Sequence, residues 1–132
     1  MQDTALSTQK LKKINRAQQS LNALKEQRHN LWKIFFASSP LVEGSFGEFL
    51  VRCGRSNCHC HAQPCHLLTR LSHWQEGKLK HKVVKVADRQ WVKPLSQHYK
   101  EHTQALSQLL KVNKKEYQLL KNVMEFKVIA YK

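Results

Sequence analysis

Apolar side chains recur through the first third of the chain at Ile14, Ala17, Leu21, Leu24, Leu31 and Phe35. This is a seven-residue rhythm broken at one seam position by Arg28. It predicts a long amphipathic helix within residues 1–39, whose opposite face carries Lys12, Lys13, Arg16, Gln19 and Lys33. The helix should stop near Ser38-Ser39-Pro40, because a residue preceding proline avoids the helical region.

From Gly44 the period shortens towards two. Ser45–Arg52 leads into a cysteine-rich segment, His66–Trp74 leaves it, and Leu79–Val86 alternates apolar with basic side chains after a turn at Gln75–Lys78. A small antiparallel hairpin with a third strand before it is expected over residues 44–88, with Trp74 beside the turn as a core anchor in preference to a ring that stacks on a base. Asp88 is a credible N-cap for a second long helix over residues 89–124, in which Pro94 is tolerable only in the first turn. Its expected seam is Leu95, Tyr99, His102, Leu106, Leu109, Asn113, Leu120 and Val123, with Asn113 a tolerated polar position. The tail, residues 125–132, alternates from Phe126 onwards and either adds an edge strand or frays. The predicted class is α+β: a small β module between two long helices that pair as an antiparallel or dimeric coiled coil. At 132 residues and 41% apolar content, one core is expected.

Charge adds a partner. Twenty-three Lys and Arg against nine Asp and Glu leave +14, a field attractive to polyanions. Nucleic acid, with DNA favoured, is the first expectation, although an anionic membrane surface would feel the same field. The excess is +5 over residues 1–36, +3 over 37–88 and +6 over 89–132, so it sits on the flanks. No secretion signal is read in Met1–Lys13, and the most apolar stretch, Leu31–Val42, is too short and interrupted to span a bilayer. A cytoplasmic location is the expectation.

In a reducing compartment, four cysteines within thirteen residues point to metal rather than to disulfides. Residues 53–66 hold seven thiol or imidazole donors: Cys53, Cys58, His59, Cys60, His61, Cys65 and His66. Zinc wants four such donors in a tetrahedron, which Cys53, Cys58 and Cys60 would supply together with Cys65 or His66. Gly54 and the turn after it would let Cys53 and Cys58 curl round one ion. An iron–sulfur cluster held by the four cysteines is the alternative metal chemistry. A module this small has little core of its own, so metal binding would supply folding free energy.

The run Arg52-Cys53-Gly54-Arg55-Ser56-Asn57-Cys58-His59-Cys60, followed after five residues by His66, resembles a bacterial family of unknown function. That family's core reads Arg-Cys-Gly-Lys-x-x-Cys-x-Cys, five residues, His. The resemblance covers about residues 44–110 and implies His66 as the fourth ligand. Members are often encoded near transposases and integrases, which implies a mobile-element or phage setting. The family usually follows its His with Gly-Pro and aromatic residues, where this chain has Leu67-Leu68-Thr69.

The expected function is therefore that of a non-enzymatic, zinc-containing nucleic-acid-binding accessory protein of a recombination or transposition system. Arg52, Arg55, Arg70, Lys78, Lys80 and Lys82 are the expected phosphate contacts, crowded on one knuckle, and binding should be backbone-driven rather than sequence-specific. An alternative is a coiled-coil assembly factor that docks a recombinase or another copy of itself. A third is a small single-strand nuclease using His59-x-His61 with Tyr99 or Tyr117. The carboxylates are too scattered for a two-metal nuclease, and no glycine loop could cradle phosphates.

Overall fold

The computed structural model describes residues 4–132 and is α+β. Helix α1 (Thr8–Phe36) is followed by strands β1 (Ser45–Val51), β2 (His66–Gln75) and β3 (Lys78–Val83), then by helix α2 (Arg89–Lys127). Short 3-10 turns occupy His59–His61 and Val86–Asp88. The chain divides into two compact units, one of Ser38–Thr103 and one combining α1 with α2 from Gln104 onwards. A single core was expected from length. At 39 residues, however, α2 is about 58 Å long, more than one small core can cover.

In the helical unit, α1 begins where Ser7 accepts a hydrogen bond from the Lys10 backbone N–H at 3.2 Å, an N-cap that satisfies one otherwise unpaired amide. The expected start before Asp3 lies outside the described residues. The helix ends at Phe36, and extended backbone at Ala37 leads towards Pro40. Its inward stripe is Ile14, Ala17, Leu21, Leu24, Arg28, Leu31 and Phe35, the seam read from the sequence. Leu31, Ala105 and Val112 form the buried centre, with Leu24, Ile34, Phe35 and Leu109 packed against it. Arg28, the polar interruption, donates through Nη2 to Asn113 Oδ1 at 2.6 Å and to Glu116 Oε2 at 2.7 Å. Farther along, Lys13 Nζ lies 5.2 Å from the Phe126 ring centroid. Early α1 meeting late α2, and late α1 meeting Ala105, is an antiparallel order of contacts.

The expected seam of α2 needs correction in its second half. The helix turns Ala105, Leu109, Val112, Glu116, Leu119, Val123 and Phe126 inward, while Leu106 and Leu120 are exposed. Ala105 is 2% accessible and Leu106 55%. At Ala105 the physical reason is volume: the methyl group admits the bulky Leu31, Ile34 and Phe35, where the adjacent Leu106 would hold the helices apart. Steps of three and four residues from there carry Val112 and Leu119 inward. The tail adds no strand, since α2 continues to Lys127 and residues 128–132 carry no regular structure.

The sheet is a meander of order β1-β2-β3, antiparallel throughout. Gln75 pairs with Lys78, so Glu76 and Gly77 are a two-residue turn, with φ of 52° and 76°. Two positive φ values give the type I′ geometry whose twist suits a hairpin. The start of α2 is tied to the sheet by hydrogen bonds. Ser96 Oγ donates to the Gly44 carbonyl at 2.7 Å and accepts the Phe46 N–H at 3.1 Å. Arg89 donates to Thr69 Oγ1 at 2.8 Å and to the Leu67 carbonyl at 2.9 Å, and Thr69 Oγ1 donates to the Val84 carbonyl at 2.9 Å. Thr69 and Ser96 are buried polar groups with hydrogen-bond partners, and Val84 and Val92 are the buried apolar residues of this unit's sheet end and early α2.

Asp88 sits in the 3-10 turn preceding α2, where its Oδ1 accepts the Trp91 indole N–H at 3.1 Å. Pro94 is the sixth residue of α2, one turn later than the position where proline is free of cost. It removes a single helical bond, the one to the Gln90 carbonyl.

Val112→Ala should destabilise the protein by about 1–3 kcal/mol in chemical denaturation, whereas Leu106→Ala should stay within about 0.5 kcal/mol. A larger cost for Leu106→Ala than for Val112→Ala would mean that the seam read from the sequence is the packed one. Removing Glu116 alone leaves the Arg28 cation unbalanced in the seam. Because the two side chains retain 22% and 27% of their exposure, the expected loss is about 1 kcal/mol, below that of a fully buried pair. Replacing both residues by Leu should restore or raise the denaturation midpoint.

Candidate metal centre

Strand β1 ends at Val51 and β2 begins at His66, and these two residues pair across the sheet end. The fourteen residues between them form a loop in which Cys60 alone is buried. A loop of that length needs an internal tie to hold one conformation. Gly54, at φ +80°, reverses the chain immediately after Cys53, a left-handed conformation that L side chains adopt at a cost. Cys58 N–H then donates to the Arg55 carbonyl at 3.3 Å and His61 N–H to the Cys58 carbonyl at 3.2 Å, which winds the short 3-10 turn bearing Cys60. Arg52 Nε donates to the His61 carbonyl at 3.3 Å, closing the far side.

These turns gather Cys53, Cys58, Cys60 and His66, whose donor atoms all lie within 4.8 Å of one another. Cys53 Sγ is 3.5 Å from Cys60 Sγ, and Cys58 Sγ is 3.2 Å from His66 Nε2. Donors about 2.0–2.3 Å from a tetrahedral ion are separated by about 3.3–3.8 Å, so the cluster has the dimensions of a four-coordinate metal site. The donor set suits a thiophilic metal ion. Cys65 stands apart, with its Sγ 3.2 Å from His59 Nε2, and both residues are exposed. Of the two candidates for the fourth position, His66 is thus the one beside the three sulfurs.

Cys53 and Cys60 are tuned in opposite directions. The Arg55 backbone N–H, helped by the Cys60 thiol, holds Cys53 below its ordinary value. For Cys60 the Cys53 backbone N–H, 3.3 Å from Sγ, pulls the thiol down, but burial and its thiol neighbours Cys58 and Cys53 outweigh it and push it up to about 11. A bare cluster therefore keeps a proton on Cys60, and a metal ion must displace it to bind.

The cationic residues expected to crowd one knuckle do not share one surface. Alternation along β3 puts Lys78, Lys80 and Lys82 on one face, opposite Gln75, His73 and Leu71, and all three are exposed. Arg70 is on the other face, its guanidinium 4.2 Å from the Phe49 ring centroid. Its Nε has no hydrogen-bond partner, so stacking holds it. Arg52 is tied to the loop backbone, and Arg55 is exposed on the loop. Trp74, expected in the core, is 70% exposed. Alternation puts it on the sheet face away from Thr69 and Glu48, the residues that Arg89 and Lys93 of α2 engage.

The His59–Cys65 pair and the Phe49–Arg70 stack were missed from the sequence. The stack had a signal: if the β1 and β2 register is known, period-two alternation puts both residues on one face. No family profile, curated protein or solved structure matches this chain.

Purified protein should carry one metal ion per chain by elemental analysis. Cys65→Ala should retain it, while Cys60→Ala and His66→Ala should lose it. Loss in Cys65→Ala with retention in His66→Ala would reverse the ligand assignment.

Proposed function

We propose that this chain is a non-enzymatic, zinc-stapled nucleic-acid-binding accessory protein, acting in the cytoplasm on DNA in a recombination or transposition system. The carrying observation is unneutralised charge on an ordered surface. Among the described residues only Arg28 and Lys93 engage a carboxylate within 4.0 Å, against twenty-three Lys and Arg in the chain. Lys78, Lys80 and Lys82 stand as an exposed row on one strand, spaced by about 6.6 Å. Such a row attracts phosphates without reading bases, so affinity comes with little sequence preference.

Zinc is the ion that best suits three thiolates and an imidazole in a tetrahedron. With Cys65 turned to His59, a four-cysteine iron–sulfur cluster has less support. A set of four protein donors leaves no open position for substrate or water, which is the arrangement of a structural rather than a catalytic ion. The ion staples the loop between β1 and β2. The mobile-element setting rests on the resemblance carried by Arg52–Cys60 and His66.

A second reading, assembly through the helices, is favoured by a further stripe on α2. Leu106, Leu110, Tyr117, Leu120 and Met124 are exposed, at spacings of four, seven, three and four residues. They flank the inward seam and are bordered by Lys114 and Lys121, which suits a helix with acidic flanks on a recombinase-type partner. The two readings are compatible, since the stripe and the lysine row lie in different units. The nuclease reading gains nothing, because His59 is engaged by Cys65 rather than aligned with His61.

Binding to a DNA duplex of arbitrary sequence should fall steeply with salt, by a slope of about −0.9 in log affinity against log salt for each phosphate neutralised. Replacing Lys78, Lys80 and Lys82 by Gln should flatten that slope by up to about three units while metal content stays unchanged. A wild-type slope near zero would refute the reading.

A further inference from the structure

The sheet face opposite the lysine row has an unusual composition for a surface. Period-two alternation and the strand register put Phe49, Arg70, Trp74, Leu79 and Val83 on it. Two side-chain contacts verify the placement: the Arg70–Phe49 stack, and Ser72 Oγ lying 2.7 Å from His81 Nδ1. One face of a small antiparallel sheet ordinarily packs beneath a second layer while the other, left to water, is polar. In this sheet the start of α2 engages the lysine-row face, through Arg89 on Thr69 and Lys93 on Glu48, and the outer face is the apolar one. Here Trp74 and Val83 are 70% and 71% exposed, and Phe49 and Leu79 are more than two-fifths exposed. Trp74 and Leu79 also line a cavity of about 760 Å³, which Phe46 and His73 of the lysine-row face share and which α2 walls with Tyr99 and Lys100. That is within the volume range of pockets that hold organic groups.

We infer that this face is a stacking platform for the unpaired bases of single-stranded nucleic acid, an inference that rests on the nucleic-acid reading given above and names the form of its ligand. The occupant follows from three features. Aromatic rings offer flat surfaces to bases only when those bases are unstacked, since a duplex hides its base faces. Trp74 lies six residues along β2 from Leu68, the partner of Phe49, so the two rings are about 20 Å apart, a span of several nucleotides. Arg70 and His81 sit between them, beside a chain of net charge +14 that draws in a polyanion and repels a second copy of itself. Arg70 holds the Phe49 ring from one side, which fixes the ring for stacking. The lysine row on the other side of β3 holds phosphates without regard to strandedness, so the two faces divide affinity from strand preference.

The test compares fluorescein-labelled twelve-nucleotide oligothymidine with a duplex of equal length, by anisotropy at one fixed salt concentration. The proteins are the full-length wild type, Trp74→Ala, Trp74→Phe and the triple Lys→Gln variant, each with its metal content and circular dichroism checked. Trp74 is exposed, so its variants should fold. Trp74→Ala should weaken oligothymidine binding roughly five- to a hundredfold and duplex binding less than twofold, and Trp74→Phe should recover most of the loss. The triple variant should weaken both ligands alike. Unchanged oligothymidine affinity in Trp74→Ala, beside salt-sensitive wild-type binding, overturns the platform and leaves nucleic-acid binding standing. Equal losses on both ligands also overturn it. Wild-type protein that binds neither overturns both readings. If Trp74→Ala instead converts a dimer to a monomer in light scattering with oligothymidine affinity unchanged, the face belongs to a second copy and the inference fails.

Discussion

The arrangement of the sheet unit depends on the closure of one loop. Between the last residue of β1 and the first of β2 the chain makes a fourteen-residue excursion that buries a single side chain, Cys60. Apolar burial cannot hold so long a segment in one conformation, because ordering each residue costs about 1–2 kcal/mol of backbone entropy. The compensation lies in the donors themselves. Cys53, Cys58 and Cys60 converge with His66, and His66 is also the first rung of the sheet. An ion bound there would tie both ends of the loop to the ladder at once, so that loop closure and strand register become one event. The opposed tuning of Cys53 and Cys60 belongs to the same geometry: one Sγ sits in open backbone donors, and the other is enclosed among sulfurs.

The helical unit solves a different problem. Its seam contains an arginine and a glutamate, with the exposed Asn113 at its border, and either charge alone would weaken a packed interface. They meet, and Arg28 is the hub. A polar cluster of this kind specifies register more than it adds stability, since a shift of one turn would set the guanidinium against Leu109 and Val112 or against Leu119 of α2. The small side chain of Ala105 then leaves room for Leu31 between the helices.

Charge distribution links structure to the proposed function. The two sheet faces carry different groups along β3: Lys78, Lys80 and Lys82 on the face shared with Phe46, Leu67 and Leu71, and Leu79 and Val83 on the face of Phe49, Arg70 and Trp74. Alternation makes the division sharp, because adjacent residues of a strand cannot share a face. No helix among the described residues is long and apolar enough to cross a membrane.

By itself the sequence determined both long helices, the three strands, the turn at Glu76-Gly77 and the cluster around Cys53, Cys58 and Cys60. Each is a local or periodic signal: a heptad, a period of two, a residue needing positive φ, or donors close together in the chain. What only the tertiary structure decided concerns which of several local options finds its partner. Cys65 and His66 are adjacent, and the loop's path sends one to His59 and the other to the sulfurs. Leu106 and Ala105 are adjacent, and packing against Leu31 selects the smaller. Arg70 and the lysines looked like one patch until strand register divided them, and Trp74 looked buried until the sheet proved to have an open face. Chain position places residues near one another, but direction is decided by the pleat, the helical turn and the volume of the neighbour across the gap, none of which a single segment contains.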